Sequence, residues 1–124
     1  MSRVALVDDD HAARRMLRRV LERLGHEVLE ASDGAAGLEL VRAEHPDVLL
    51  LDLRMPGEHS GFDVARELRS DPATASIPIV VVSASTHLEA RELVEQVGCD
   101  AFVEKPVDFD ELERVIAQLV GSVD

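Results

Sequence analysis

At 124 residues, 46% of them apolar and 31% charged, the chain has the size and balance of one globular domain with its own core. A formal net charge of −12 repels nucleic-acid phosphates and anionic lipid, which argues against direct DNA binding and membrane-surface attachment. One cysteine, Cys99, excludes an internal disulfide and suits a reducing cytoplasm, and no apolar stretch approaches the length of a membrane span or a signal peptide.

Short β-rich runs alternate with helical periods. The first run, VALV (4–7), ends in Asp8, Asp9 and Asp10, and Asp10 is placed to cap a helix beginning at His11. That helix carries the apolar stripe Ala13, Met16, Leu17, Val20, Leu21 and Leu24, closed by Gly25. The chain's one basic cluster, Arg14, Arg15, Arg18, Arg19 and Arg23, fits the solvent side of the same helix.

HEVLE (26–30) reads as a weaker strand at a sheet edge. A second helix through Ala35, Leu38, Val41 and Arg42 stops at Pro46. DVLLL (47–51) is the third strand and leads into Asp52. The third helix contains Phe62, Val64, Ala65 and Leu68, with Ser60 and Asp63 as a capping pair. IPIVVV (77–82) is the fourth strand and leads into Ser83. Thr86 and Glu89 repeat the capping signature before Leu93, Val94 and Val97, and Gly98 ends that helix. AFVE (101–104) is the fifth strand and leads into Lys105. Asp108 and Glu111 open a last helix whose core side is Phe109, Leu112, Val115, Ile116 and Leu119.

The order is (βα)5. Nearly unbroken apolar strands suit a parallel sheet covered on both faces. Right-handed crossovers leave few topologies, and a doubly wound, flavodoxin-like order 2-1-3-4-5 fits best. Such sheets bind ligands outside the carboxyl ends of their strands, where strand order reverses. That rule brings Asp8, Asp9, Asp52, Ser83 and Lys105 to one crevice. Two carboxylates about 4 Å apart at a protein surface repel by roughly 4 kcal/mol. Three in one pocket call for a cation, and an all-oxygen set favours Mg²⁺. A carboxylate is also a nucleophile toward phosphorus, and phosphoryl transfer depends mainly on positioning and charge neutralisation.

VDDDH, LLLDLRMPG, VVSAS and VEKP, in this order and spacing, resemble the receiver domain of two-component response regulators, and the resemblance covers essentially the whole chain as one domain, 1–124. It implies a Mg²⁺-dependent switch phosphorylated on Asp52 by a histidine kinase or histidine phosphotransfer protein. By motif position Asp9 would bind Mg²⁺ directly, Asp8 largely through water, and Arg54 through its backbone carbonyl. Ser83 and Lys105 would bind the phosphoryl group, and small Ala84 would leave room for the donor. Phe102 stands where the family carries an aromatic switch, without the hydroxyl of the commoner Tyr. The resemblance further implies a Lys105–Pro106 peptide that is often cis, and it admits a phosphorylation-dependent dimer.

One departure is the loop MPGEHSGF, one residue longer than usual between Pro56 and Gly61, which alters the reach of Glu58 or His59. Arg54 and Ser85 flank the expected path of attacking water. The histidines at 11, 26, 45, 59 and 87 show no paired ligand spacing, and Cys99 reads as a buried structural thiol. With only GSVD after the last helix, the expectation is a stand-alone receiver. It would signal to a separate effector through the face of the fourth helix, fifth strand and fifth helix. The competing readings are a degenerate receiver acting only as a binding module and an aspartate-nucleophile phosphatase. Arg54, where such a phosphatase has a second acid, argues against the latter.

Overall fold

The computed structural model describes residues 2–55, 60–84, 92 and 95–120. The elements are β1 (Arg3–Val7), α1 (His11–Arg23), β2 (Glu27–Ala31), α2 (Gly34–Glu44), β3 (Val48–Leu51), α3 (Gly61–Ser70), β4 (Ile79–Ser83), β5 (Ala101–Glu104) and a C-terminal helix, α4 (Phe109–Val120). Residue 92 and residues 95–97 are also helical, where a helix is expected between β4 and β5. Its capping pair Thr86 and Glu89, with Leu93 and Val94, lies outside the described residues. The strands form one parallel sheet in the order β2-β1-β3-β4-β5, so the expected topology is observed and the weaker second strand takes an edge.

The unbroken apolar runs arise because both faces of the sheet are covered. Successive side chains of a strand point to opposite faces, and the core divides accordingly. Ala5, Val7, Leu49, Leu51, Ile79 and Val81 face α2 and α3, where they meet Leu38, Val41, Val64 and Leu68. Val4, Leu6, Val48, Leu50, Val80 and Val82 face α1 and α4, where they meet Leu17, Leu21, Leu112 and Ile116. Every residue of β3 is fully buried, and each buried Leu or Val contributes about 1.5–3 kcal/mol.

Helix starts follow the capping residues. The Asp10 side chain accepts from the Ala12 and Ala13 N–H groups. Ser60 and Asp63 form a reciprocal capping box. Asp108 Oδ1 accepts from the Asp110 and Glu111 N–H groups. Gly25, at φ +95°, and Gly98, at φ +80°, supply the left-handed residues after their helices. Cys99 is buried as expected, and burial pushes its thiol up to about 11.

The face of α1 needs two corrections. Leu17 and Leu21 are buried, but Met16 is 59% exposed and Leu24 46% exposed, so the apolar stripe is narrower than its sequence pattern. Met16 is turned about 100° from Leu17 around the helix axis, and Leu24 is the C-cap, already outside helical geometry. The second correction concerns Arg14, expected on the solvent side. Its side chain is only 13% exposed and reaches across to β2.

Candidate functional site

Asp8, Asp52, Ser83 and Lys105 each stand where a strand stops, held by one last backbone bond of the sheet. The Asp8 N–H donates to the Ala31 carbonyl of β2 at 3.2 Å, and the Asp52 N–H donates to the Val7 carbonyl of β1 at 3.0 Å. Ser83 is the last residue of β4, and its carbonyl accepts from the Lys105 N–H at 3.0 Å. Asp8, Asp52, Ser83 and Lys105 are thus anchored by their main chains while their side chains extend beyond the sheet. Asp8, Asp52 and Ser83 are buried, Lys105 is half-buried, and Asp9 is exposed at the rim.

The two buried carboxylates are held alike. Asp8 Oδ1 accepts from the Asp10 N–H at 2.9 Å, and Asp52 Oδ1 accepts from the Arg54 N–H at 3.3 Å. These i, i+2 bonds leave each Oδ2 turned toward Lys105. Lys105 Nζ lies 2.9 Å from Asp8 Oδ2 and 3.7 Å from Asp52 Oδ2. One carboxylate oxygen from each of Asp8, Asp9 and Asp52 falls within 4.8 Å of the others.

The electrostatics are those of an unbalanced cluster. Burial pushes the Asp52 carboxyl up to about 6; Lys105 and the Arg54 N–H pull it down, while the neighbouring Asp8 pushes it further up. Burial by itself would lower the Lys105 ammonium, but its hydrogen bond to Asp8 and the charges of Asp52, Asp8 and Asp10 outweigh that, and its pKa is raised. With all carboxylates ionised, one ammonium leaves the cluster short of two positive charges. The donor atoms are all oxygen and within one ion's reach, so a hard divalent cation fits.

The family model of the response regulator receiver domain matches residues 4–117. The chain belongs to that family. Among curated relatives of this receiver domain, Protein PilH of Pseudomonas aeruginosa is 36% identical over 98% of the chain and 100% of its own length. The polar-differentiation response regulator DivK of Brucella ovis is 30% identical over 96% of both chains. Among solved structures, the receiver domain of a Pseudomonas aeruginosa sensor histidine kinase has a magnesium ion coordinated in its active-site cleft. It aligns with a TM-score of 0.89 at 26% identity, covering 98% of each chain. This receiver domain is therefore a phosphorylation-dependent switch that works with a partner histidine kinase. Its chemistry is its own phosphorylation and dephosphorylation, and its acidic cluster is suited to Mg²⁺. Among the described residues no helix is long and apolar enough to cross a membrane.

Asp8, Asp9, Asp52, Arg54, Ser83, Ala84, Phe102 and Lys105 all fall in the described part of the receiver. Ala84 is exposed beside Ser83. Phe102 is half-buried, pairs in register with Val81 and packs on the α2–α3 side of the core. The Lys105–Pro106 peptide is cis, as the resemblance implied. Glu58, His59, Ser85 and the lengthened part of the loop after Met55 lie outside the described residues.

Two contributors were not picked out from the sequence. A Cβ on Gly61 would lie 2.4 Å from the Asp52 carbonyl oxygen and 2.6 Å from Leu53 Cα, so α3 starts directly against the Asp52–Leu53 peptide. The Gly61 N–H donates to the Leu53 carbonyl at 3.0 Å and fixes that approach. The signal available was the glycine at the start of a capped helix soon after Asp52. The second contributor is Arg14, whose Nη1 donates to the Asp8 carbonyl at 2.7 Å.

Proposed function

We propose that Asp52 is the phosphoacceptor, that Asp8, Asp9, Asp52 and the Arg54 carbonyl hold Mg²⁺, and that Ser83, Ala84 and Lys105 receive the phosphoryl group. The observation that carries this reading is the placement of Asp8 and Asp52. Each carboxylate has one oxygen held by a backbone N–H and the other turned to a shared ammonium. A deprotonated Asp52 oxygen attacks the phosphorus of a phosphohistidine. The new O–P bond forms as the P–N bond breaks, and the donor imidazole leaves with the bonding pair. Asp8, Asp9, Asp52 and the Arg54 carbonyl would hold the Mg²⁺, which when bound would supply charge neutralisation for the carboxylates and the phosphoryl oxygens. Lys105 shifts its ammonium from the carboxylates toward a phosphoryl oxygen, and the Ser83 hydroxyl donates to another. Exposed Ala84 leaves the approach to Asp52 open.

The donor is a cognate histidine kinase or a histidine phosphotransfer protein, and residues 1–124 act as one receiver domain in the cytoplasm. A single buried thiol and the match to the full length of PilH support this. The output reaches a separate effector protein through the face containing β5 and α4. Movement of Ser83 toward the phosphoryl group frees space beside Val81, into which Phe102 turns. Intact mass spectrometry after treatment with acetyl phosphate and Mg²⁺ tests the site. One phosphoryl group should be added, and none to Asp52→Asn or in the absence of Mg²⁺. An unchanged mass together with a silent beryllofluoride titration overturns the reading.

A further inference from the structure

Arg14, in the first turns of α1, is enclosed by polar partners from three directions. Nη1 donates to the Asp8 carbonyl at 2.7 Å, Nε donates to Glu30 Oε1 at 3.2 Å, and Nη2 lies 3.2 Å from His11 Nδ1. Glu30 belongs to the edge strand β2 and is itself held by Arg18 on its other oxygen. The carbonyl that Arg14 holds is the one joining Asp8 to Asp9, two of the three carboxylates of the site. The same Asp8 residue is held by its N–H on Ala31 and by its Oδ1 on Asp10. Arg14 adds a third restraint, on the carbonyl of the Asp8–Asp9 peptide itself.

We propose that Arg14 is a positioning residue of the cation site. It clamps the Asp8–Asp9 peptide to β2 through Glu30 and so sets where Asp8 and Asp9 present their carboxylates. The inference rests on the acidic cluster being the Mg²⁺ site. It is distinguished from a charge effect by sign. Arg14 is a cation near a cation site, so its loss should tighten Mg²⁺ binding on Coulomb grounds alone. A positioning role requires the opposite.

The test is calorimetric titration of the full chain with MgCl₂ at neutral pH, with metal-free melting temperature recorded alongside. Arg14→Ala should weaken Mg²⁺ binding about tenfold or more, the range found for residues that orient metal ligands. Arg14→Lys, which reaches the Asp8 carbonyl or Glu30 but not both, should lose less. Arg19→Ala removes the same charge from the exposed side of the same helix, away from Glu30, and should bind Mg²⁺ as the wild type does. In phosphorylation by acetyl phosphate, Arg14→Ala should need more Mg²⁺ yet reach the wild-type rate at saturation. Wild-type affinity in Arg14→Ala, or an equal loss in Arg19→Ala, overturns the inference. If Arg14→Ala does not fold, Arg14→Lys decides, and wild-type affinity there overturns it too. No Mg²⁺ binding by the wild type removes the site reading and this inference with it. Wild-type binding with an unchanged variant removes this inference alone.

Discussion

Asp52 carries a conflict between chemistry and stability. As the proposed nucleophile it must be deprotonated, yet burial raises its pKa to about 6, above the ordinary aspartate value of about 4. A carboxyl raised in this way destabilises the fold as pH rises. Below its unfolded value both states are protonated and nothing is lost. Between pH about 4 and 6 the unfolded chain ionises first, and above 6 a cost on the order of 2–3 kcal/mol is fully present. Metal-free Asp52→Asn should therefore melt several degrees higher than the wild type at pH 7, with the difference vanishing near pH 4. A lower melting temperature for the variant at pH 7 would contradict this account. Protons and Mg²⁺ compete for the same oxygens, so Mg²⁺ affinity should fall as pH drops below about 6. Calorimetric titrations across that range would show it, and a flat profile would count against the assignment.

At the scale of elements, α3 begins against the backbone that follows β3, at a residue without a side chain. The contact brings the helix start against the Asp52–Leu53 peptide, which carries the proposed phosphoacceptor, and it leaves no room for a methyl group. Gly61→Ala must move α3 or the Asp52–Leu53 backbone, at a cost of about 2 kcal/mol or more. It should lower both the melting temperature and the phosphorylation rate at saturating Mg²⁺. Preservation of both would show that the approach relaxes without disturbing the site. The Ser60–Asp63 capping box beside it holds the helix end, so the effect is local to the glycine and not a loss of α3.

For the whole molecule, a net charge of −12 sets a background of self-repulsion. Monovalent salt should raise the melting temperature by screening it, because the Debye length is about 8 Å at physiological ionic strength. Mg²⁺ at matched ionic strength should raise it further, since it also relieves the acidic cluster, and this excess should shrink in Asp9→Asn. Equal shifts from NaCl and MgCl₂ in thermal melts would mean that the cluster holds no specific cation.

Alternating runs and helical periods determined the βα order, because apolar periodicity and capping chemistry act over a few neighbouring residues. Asp10 and the Ser60–Asp63 pair were legible for that reason, and so were Asp8, Asp9, Asp52, Ser83 and Lys105 as residues that end strands. Contacts between residues distant in the chain were not. Arg14 and Arg15 are adjacent and identical in type, and only the packing of α1 beside β2 turns one inward to Glu30 and leaves the other exposed. Met16 has the composition of a core residue, yet the line of contact between helix and sheet passes through Leu17 and Leu21. Spacing could place Lys105 near two carboxylates but not show that it bonds Asp8 more closely than Asp52. Local pattern determined which residues reach the crevice. Their pairing was decided by the crossovers, which bring together groups whose separation in the sequence carries no information about distance.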